Sequence, residues 1–108
     1  MNDGFTKKDW ALFRSKLPDW QEAYMERLCR EYVKLLTKKA DASDRFWELD
    51  KRIRRDKKKA GVQIEMSRSN MVFNLMSLLQ EGAISLEDLD EFSDELKETV
   101  QFFMRRFS

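Results

Sequence analysis

Apolar residues at Trp10, Phe13 and Leu17 recur at steps of 3 and 4, the spacing that lays one face of a helix against a core. Thr6 and Asp9 have capping-box spacing, and Phe5 and Trp10 stand where a hydrophobic staple closes a first turn, so a helix is expected to start near Lys7. Pro18 is expected to end it, because its ring removes an amide donor and crowds the preceding turn. Asp19 and Glu22 repeat the capping-box spacing, and no Gly or Pro follows until Gly61. Through that region a stripe runs Met25, Leu28, Tyr32, Leu35, Lys39, Ala42, Phe46, Leu49, Ile53, alternating steps of 3 and 4 with Lys39 as its one charged member. Residues 20–59 therefore read in two ways. Asp41 and Ser43 are cap residues that suit a helical hairpin, whereas one uninterrupted helix would be a rod roughly 60 Å long whose seam needs a partner chain to cover it.

Lys57, Lys58 and Lys59 suit the negative end of a helix, and Gly61 is a natural stop after them. Val62, Ile64 and Met66 alternate without a second strand to pair with, so they read as an extended connector. Ser67 or Ser69 is expected to cap a helix through Met71, Val72, Phe73, Leu75, Met76, Leu78 and Leu79, apolar on nearly all sides and thus expected at the centre of the fold. Gly82 closes it. Ser85 and Asp88 form a third capping box, stapled by Ile84 and Leu89, and one helix is expected from there to the end. Its buried face would hold Leu89, Phe92, Leu96, Val100, Phe103 and Phe107, leaving Phe102 projecting about 140° away as a surface aromatic. The expected architecture is all-α, a small bundle of four to five helices in a single domain over residues 1–108.

Composition narrows the chemistry. The 108 residues hold no histidine and one cysteine, which removes His-dependent base and triad mechanisms, most metal-ligand sets and any internal disulfide. No catalytic residue, metal site, cofactor or small-molecule substrate is expected. Cys29, beside Leu28, reads as a small core residue, and the six methionines as adaptable core fillers. Residues 1–6 show no basic or apolar leader, and no apolar run exceeds three residues, so neither secretion nor a membrane span is expected and the cytoplasm is. The net charge of +1 conceals a polarity: residues 1–60 carry 17 Lys/Arg against 11 Asp/Glu, or +6, and residues 61–108 carry 4 against 9, or −5.

The densest basic signal, Lys51 to Lys59, has seven cations in nine residues. As a helix it fans Lys51, Arg52, Arg54, Arg55, Lys58 and Lys59 across the face opposite the seam, with Trp47 at the margin. Such a set neutralises phosphates and stacks on a base; the ordinary alternative is a solvated face whose cations cover Trp47. Glu81 to Glu98 holds eight acidic residues and one Lys, without a Gly-centred calcium loop, and acids crowding the start of a helix are explained by its dipole. A helix-turn-helix role for this hairpin would bring Glu87, Asp88, Asp90 and Glu91 to a phosphate backbone, which repels them. The basic segment 45–59 and the acidic segment 86–98 are expected to face one another, within one chain or across a dimer.

Residues 75–97, with Leu78-Leu79-Gln80-Glu81-Gly82-Ala83-Ile84-Ser85-Leu86-Glu87-Asp88-Leu89 and then Glu91-Phe92, resemble the short helical hairpin of SHOCT modules. The resemblance covers 23 of 108 residues, departs at Ser93-Asp94-Glu95, and implies oligomerisation or partner contacts with nothing catalytic. The function expected is therefore protein–protein binding or self-association as a homo-oligomer, carried by Leu28, Tyr32, Leu35, Phe46, Leu49, Ile53 and Phe102. The alternative is a nucleic-acid-binding accessory protein using Trp47 and the cations of the basic run.

Overall fold

The computed structural model describes residues 4–107, Phe107 by its backbone alone. Residues 1–3 of the opening stretch, and the Phe107 side chain counted in the C-terminal stripe, lie outside the described residues. The architecture is all-helical: α1 (Lys7–Thr37), α2 (Ala42–Asp56), α3 (Met71–Gln80) and α4 (Asp94–Phe107), with 3-10 turns at Arg68–Asn70 and Leu86–Leu89.

The first capping box forms. Asp9 N donates to Thr6 Oγ1 at 3.0 Å, and Thr6 N donates to Asp9 Oδ2 at 2.9 Å. Pro18, however, does not end the helix; α1 runs through it for 31 residues, and Asp19 and Glu22 lie inside the helix instead of capping a second one. Pro18 and Arg14, whose carbonyl loses its partner, are both exposed, while Phe13 and Leu17 are buried on the opposite side. Water can satisfy the freed carbonyl, and core packing holds the turn together.

Of the two readings of residues 20–59, the chain takes the hairpin. The end of α1 and the turn after it find a donor in α2: the Arg45 guanidinium donates to the carbonyl of Leu36 in the last turn of α1 and to that of Ala40 in the turn. Lys38 reaches across the turn to Glu48 at 2.6 Å. Asp41 occupies the N-cap of α2 without a side-chain cap bond.

Gly82 ends the third helix as expected, at φ 73, with Ala83 N donating back to the Leu78 carbonyl at 2.9 Å. The single C-terminal helix is corrected. The Ser85–Asp88 box forms but governs only the turn Leu86–Leu89, and α4 starts afresh at Asp94. Ser93 explains the break: its amide and hydroxyl donate to Asp9 at 2.8 and 2.5 Å, while its Oγ accepts from Leu96 N at 3.1 Å and so caps α4. Like charges at helical spacing, Glu87 with Glu91 and Glu91 with Glu95, also disfavour one continuous helix.

The core gathers Phe13 and Leu17 of α1, Met71, Leu75 and Leu78 of α3, Leu96 and Val100 of α4, and Leu89 and Phe92 before α4. Trp10, Phe13, Trp20 and Phe92 contact in sequence at centroid spacings of 6.1, 6.3 and 6.3 Å. This lobe uses only the first half of α1. The second half, with α2 folded back on it, forms an arm. The molecule is accordingly 57 × 27 × 23 Å with a Cα radius of gyration of 16.6 Å, against about 13 Å for a compact chain of this length.

Candidate functional site

Folding the heptad stripe back on itself changes what its members can do. Leu28 and Leu35 are buried, and Tyr32, Leu49 and Ile53 are half-buried. Their burial lies inside the hairpin, so Leu28 and Leu35 are corrected from docking residues to packing residues, and the stripe itself no longer calls for a partner. Phe46 is the large apolar member of the stripe left open, 62% exposed, with Lys39 and Ala42 at the turn exposed as well.

One charged cluster locks the arm. Tyr32 OH donates to Asp56 Oδ2 at 2.6 Å, Arg52 pairs with Glu31 at 2.6 Å, and the Arg52 guanidinium lies 5.5 Å from the centre of the Tyr32 ring. Asp56 is only 3% exposed and also accepts from Arg55 at 3.3 Å. Burial, and then the bond to Asp56, push the Tyr32 phenol up to about 12. At neutral pH it keeps its proton and acts as a donor that satisfies a buried carboxylate. Beside it a cleft of about 270 Å³ is lined by Tyr24, Arg27, Glu31, Arg52, Asp56 and Glu81, so that cations and carboxylates share its wall.

The proposed nucleic-acid set divides. Arg52 turns inward to Glu31, and Lys59 is half-buried, so neither lies on the outer face expected from the wheel. The cause is that the inward face of α2 includes the charged cluster around Asp56 as well as the apolar seam. Trp47, Lys51 and Arg54 do share the outer ridge of α2, at steps of 4 and 3, and Lys58 follows in the turn past its end, all exposed. Arg54 pairs along the helix with Asp50 at 3.1 Å, and Arg55 is turned toward Asp56. Trp47, 63% exposed, meets Phe46 edge-to-face at 5.0 Å.

The basic and acidic segments do not pair within the chain as one expectation had it. The ion pairs of α2 run to Glu31 and Lys38 of the hairpin or stay within α2, whereas the acidic stretch uses Lys16 and Lys97. Cys29 is exposed, correcting its assignment to the core, because it sits one residue past the buried Leu28 on a helix covered on one side only.

A second open surface lies on the lobe. Phe102 is exposed as expected, at 52%, and contacts Phe103 at 5.4 Å; Phe103 in turn contacts Phe73 at 6.1 Å. A groove of about 620 Å³ runs alongside, walled by Phe5, Val72, Phe73, Thr99 and Phe103. The exposure of Phe73 escaped the sequence reading, which put its helix at the centre; Ser77 and Gln80, at steps of 4 and 7 from it, mark that side as the solvent face. Val33 and Leu36 near the arm's tip, and Leu86 and Met66 on the lobe, are further exposed apolar residues. Among the described residues no cluster of His, Cys, Asp and Glu is disposed to hold a metal ion, and no helix is long and apolar enough to cross a membrane. Set against family models, curated proteins and solved structures, the chain matches none of them.

Proposed function

We propose that this chain acts by protein–protein contact and that it self-associates. The observation that carries the proposal is the Phe46–Trp47 pair, two large aromatic side chains 62% and 63% exposed and in mutual contact on a projecting arm. Aromatic anchors of this kind dominate the energetics of interfaces, and an exposed pair otherwise serves neither the core nor the arm's own packing. The resemblance of residues 75–97 to SHOCT hairpins supports protein–protein contact, since it implies oligomerisation or partner contacts. The role needs no catalytic group, and the two buried carboxylates among the described residues, Asp9 and Asp56, are both engaged in holding elements together. A reducing cytoplasm suits a chain whose single thiol is exposed.

Sedimentation velocity over a wide concentration range tests the proposal. The weight-average mass should rise above the 13.0 kDa of one chain and fall back in Trp47→Ser. Constant monomer mass to the highest loading refutes self-association.

The outer ridge of Trp47, Lys51 and Arg54, with Lys58 just past the end of α2, favours a second reading, weak and sequence-independent binding to nucleic acid. Its signature is a salt dependence of slope about −0.9 per neutralised phosphate on duplex DNA. Reversing Lys51, Arg54 and Lys58 to Glu should abolish it without loss of helix.

A further inference from the structure

The two open surfaces sit on opposite poles of opposite charge. Residues 24–59, the arm, carry 13 Lys/Arg against 7 Asp/Glu, or +6; residues 60–107 carry 4 against 9, or −5. Both poles present exposed aromatics: Phe46 and Trp47 on α2, Phe73 and Phe102 on the lobe. Within one chain they are kept apart, because Trp47 stands about 14 Å of helix above the end of α2 in a molecule 57 Å long.

We propose that the arm of one copy docks on α4 of a second copy, the outer ridge of α2 lying antiparallel along the outer ridge of α4. This deepens the self-association reading and rests on it. The register follows from spacing. Trp47, Lys51 and Arg54 recur at steps of 4 and 3 toward the C-terminal end of α2, while Phe102, Glu98 and Glu95 recur at the same steps toward the N-terminal end of α4. Setting Trp47 against Phe102 brings Lys51 to Glu98 and Arg54 to Glu95, so one alignment matches an aromatic pair and two opposite charges. The adjacent groove of about 620 Å³ has room for an aromatic side chain from the incoming arm. Arm-to-arm and lobe-to-lobe contacts would instead bring +6 to +6 and −5 to −5. Lys51, Arg54 and Glu98 are exposed and Glu95 is half-buried, its Oε1 buried without a hydrogen-bond partner; charges so placed select the partner surface and the register, and the aromatic pair supplies the affinity.

The test is a charge-exchange cycle read by sedimentation velocity on the full chain, with far-UV circular dichroism verifying that each variant folds. Lys51 and Glu98 are both exposed, so K51E and E98K leave the fold intact. Each alone should weaken association several-fold; K51E/E98K, and an equimolar mixture of K51E with E98K, should recover it. F102S should weaken association by about tenfold or more, and to the same extent as W47S. If wild type associates but neither the double variant nor the mixture recovers, or F102S associates like wild type, the arm-on-lobe pairing is overturned while self-association stands. A wild type that stays at 13.0 kDa throughout overturns both.

Discussion

Asp9→Asn is expected to be among the most damaging conservative substitutions in the lobe. Asp9 is 2% exposed and accepts three bonds from outside its own turn or at its edge: Thr6 N at 2.9 Å, Ser93 N at 2.8 Å and Ser93 Oγ at 2.5 Å. Two of these fall on Oδ2 and one on Oδ1. An amide offers one acceptor, so with its oxygen in the Oδ2 position its NH2 confronts the Ser93 amide, donor against donor. The loss is one hydrogen bond to a charged group, about 1.5–3 kcal/mol, together with a buried amide left unsatisfied, so about 3 kcal/mol is the expected total. Against a stability of about 5–15 kcal/mol for a domain of this size, that lowers Tm by about 10–20 °C.

The pH dependence gives a second handle on the same residue. Burial alone would raise the Asp9 pKa, but the bonds from Ser93 and Thr6 outweigh it and hold the carboxyl below its ordinary 3.8. A depressed folded-state pKa contributes stability that is present above the unfolded value and is lost as pH falls through the folded one. The gap between wild type and D9N, measured by thermal and urea unfolding followed by circular dichroism, should therefore be constant above about pH 5 and narrow toward about pH 3. S93A removes different bonds, that of the hydroxyl to Asp9 Oδ2 and the cap on Leu96 N, and should cost about 2–3 kcal/mol; D9N/S93A should cost less than the two summed, because both act on one hydrogen-bond network. A D9N protein melting within about 2 °C of wild type at neutral pH, or a gap indifferent to acid, would refute this account of the bond.

Tyr32, raised to about 12 from an ordinary 10, contributes stability present below about pH 10 and lost as pH climbs through its folded value; urea unfolding from neutral to strongly alkaline pH should show that loss, and Y32F should flatten it. Gly61→Ala should destabilise by about 2 kcal/mol or more and expose the arm's base to hydrogen exchange, because the new Cβ would lie 2.3 Å from Cδ2 of the Tyr24 ring. Gly82→Ala meets nothing within 4 Å and should cost only about 1–2 kcal/mol, the price of a left-handed φ of 73, so a thermal melt should rank G61A below G82A.

What could be read in the sequence was whatever a few neighbouring residues decide. The boxes at Thr6–Asp9 and Ser85–Asp88 and the stop at Gly82 formed where their spacing put them, since every partner lies within a turn or two. The surface position of Phe102 came from the same arithmetic. The misreadings share another cause. Pro18 was overruled by Phe13 and Leu17, whose burial against α3 and α4 the local rule does not contain. The last helix was cut in two by a carboxylate 84 residues away from Ser93. Arg52 looked like one more solvated cation until Glu31, on the facing helix, took it at 2.6 Å. The hairpin itself was undecidable from the stripe, whose phase continues through the turn; Arg45 and the Lys38–Glu48 pair stabilise the turn by contacts that exist only once it has formed.

The arm's attachment bears on how strongly its exposed aromatics can bind. Helix α1 passes from the core to the tip without a break, about 46 Å of continuous helix, so the arm inherits its direction from residues packed in the lobe. The return strand of the chain is held at the base as well. Glu81 accepts from the amides of Ala60 and Gly61 at 2.9 and 3.0 Å, Gln21 donates to the Ala60 carbonyl at 2.9 Å, and Arg27 donates to the Gly82 carbonyl at 2.7 Å. Gly61 stands where it does because only a residue without a Cβ lets the backbone approach the Tyr24 ring so closely. These bonds fasten both legs of the hairpin to the α3 end of the lobe. An arm fastened in this way has less conformational freedom to lose on docking, so a small contact with a single aromatic pair at its centre can then suffice.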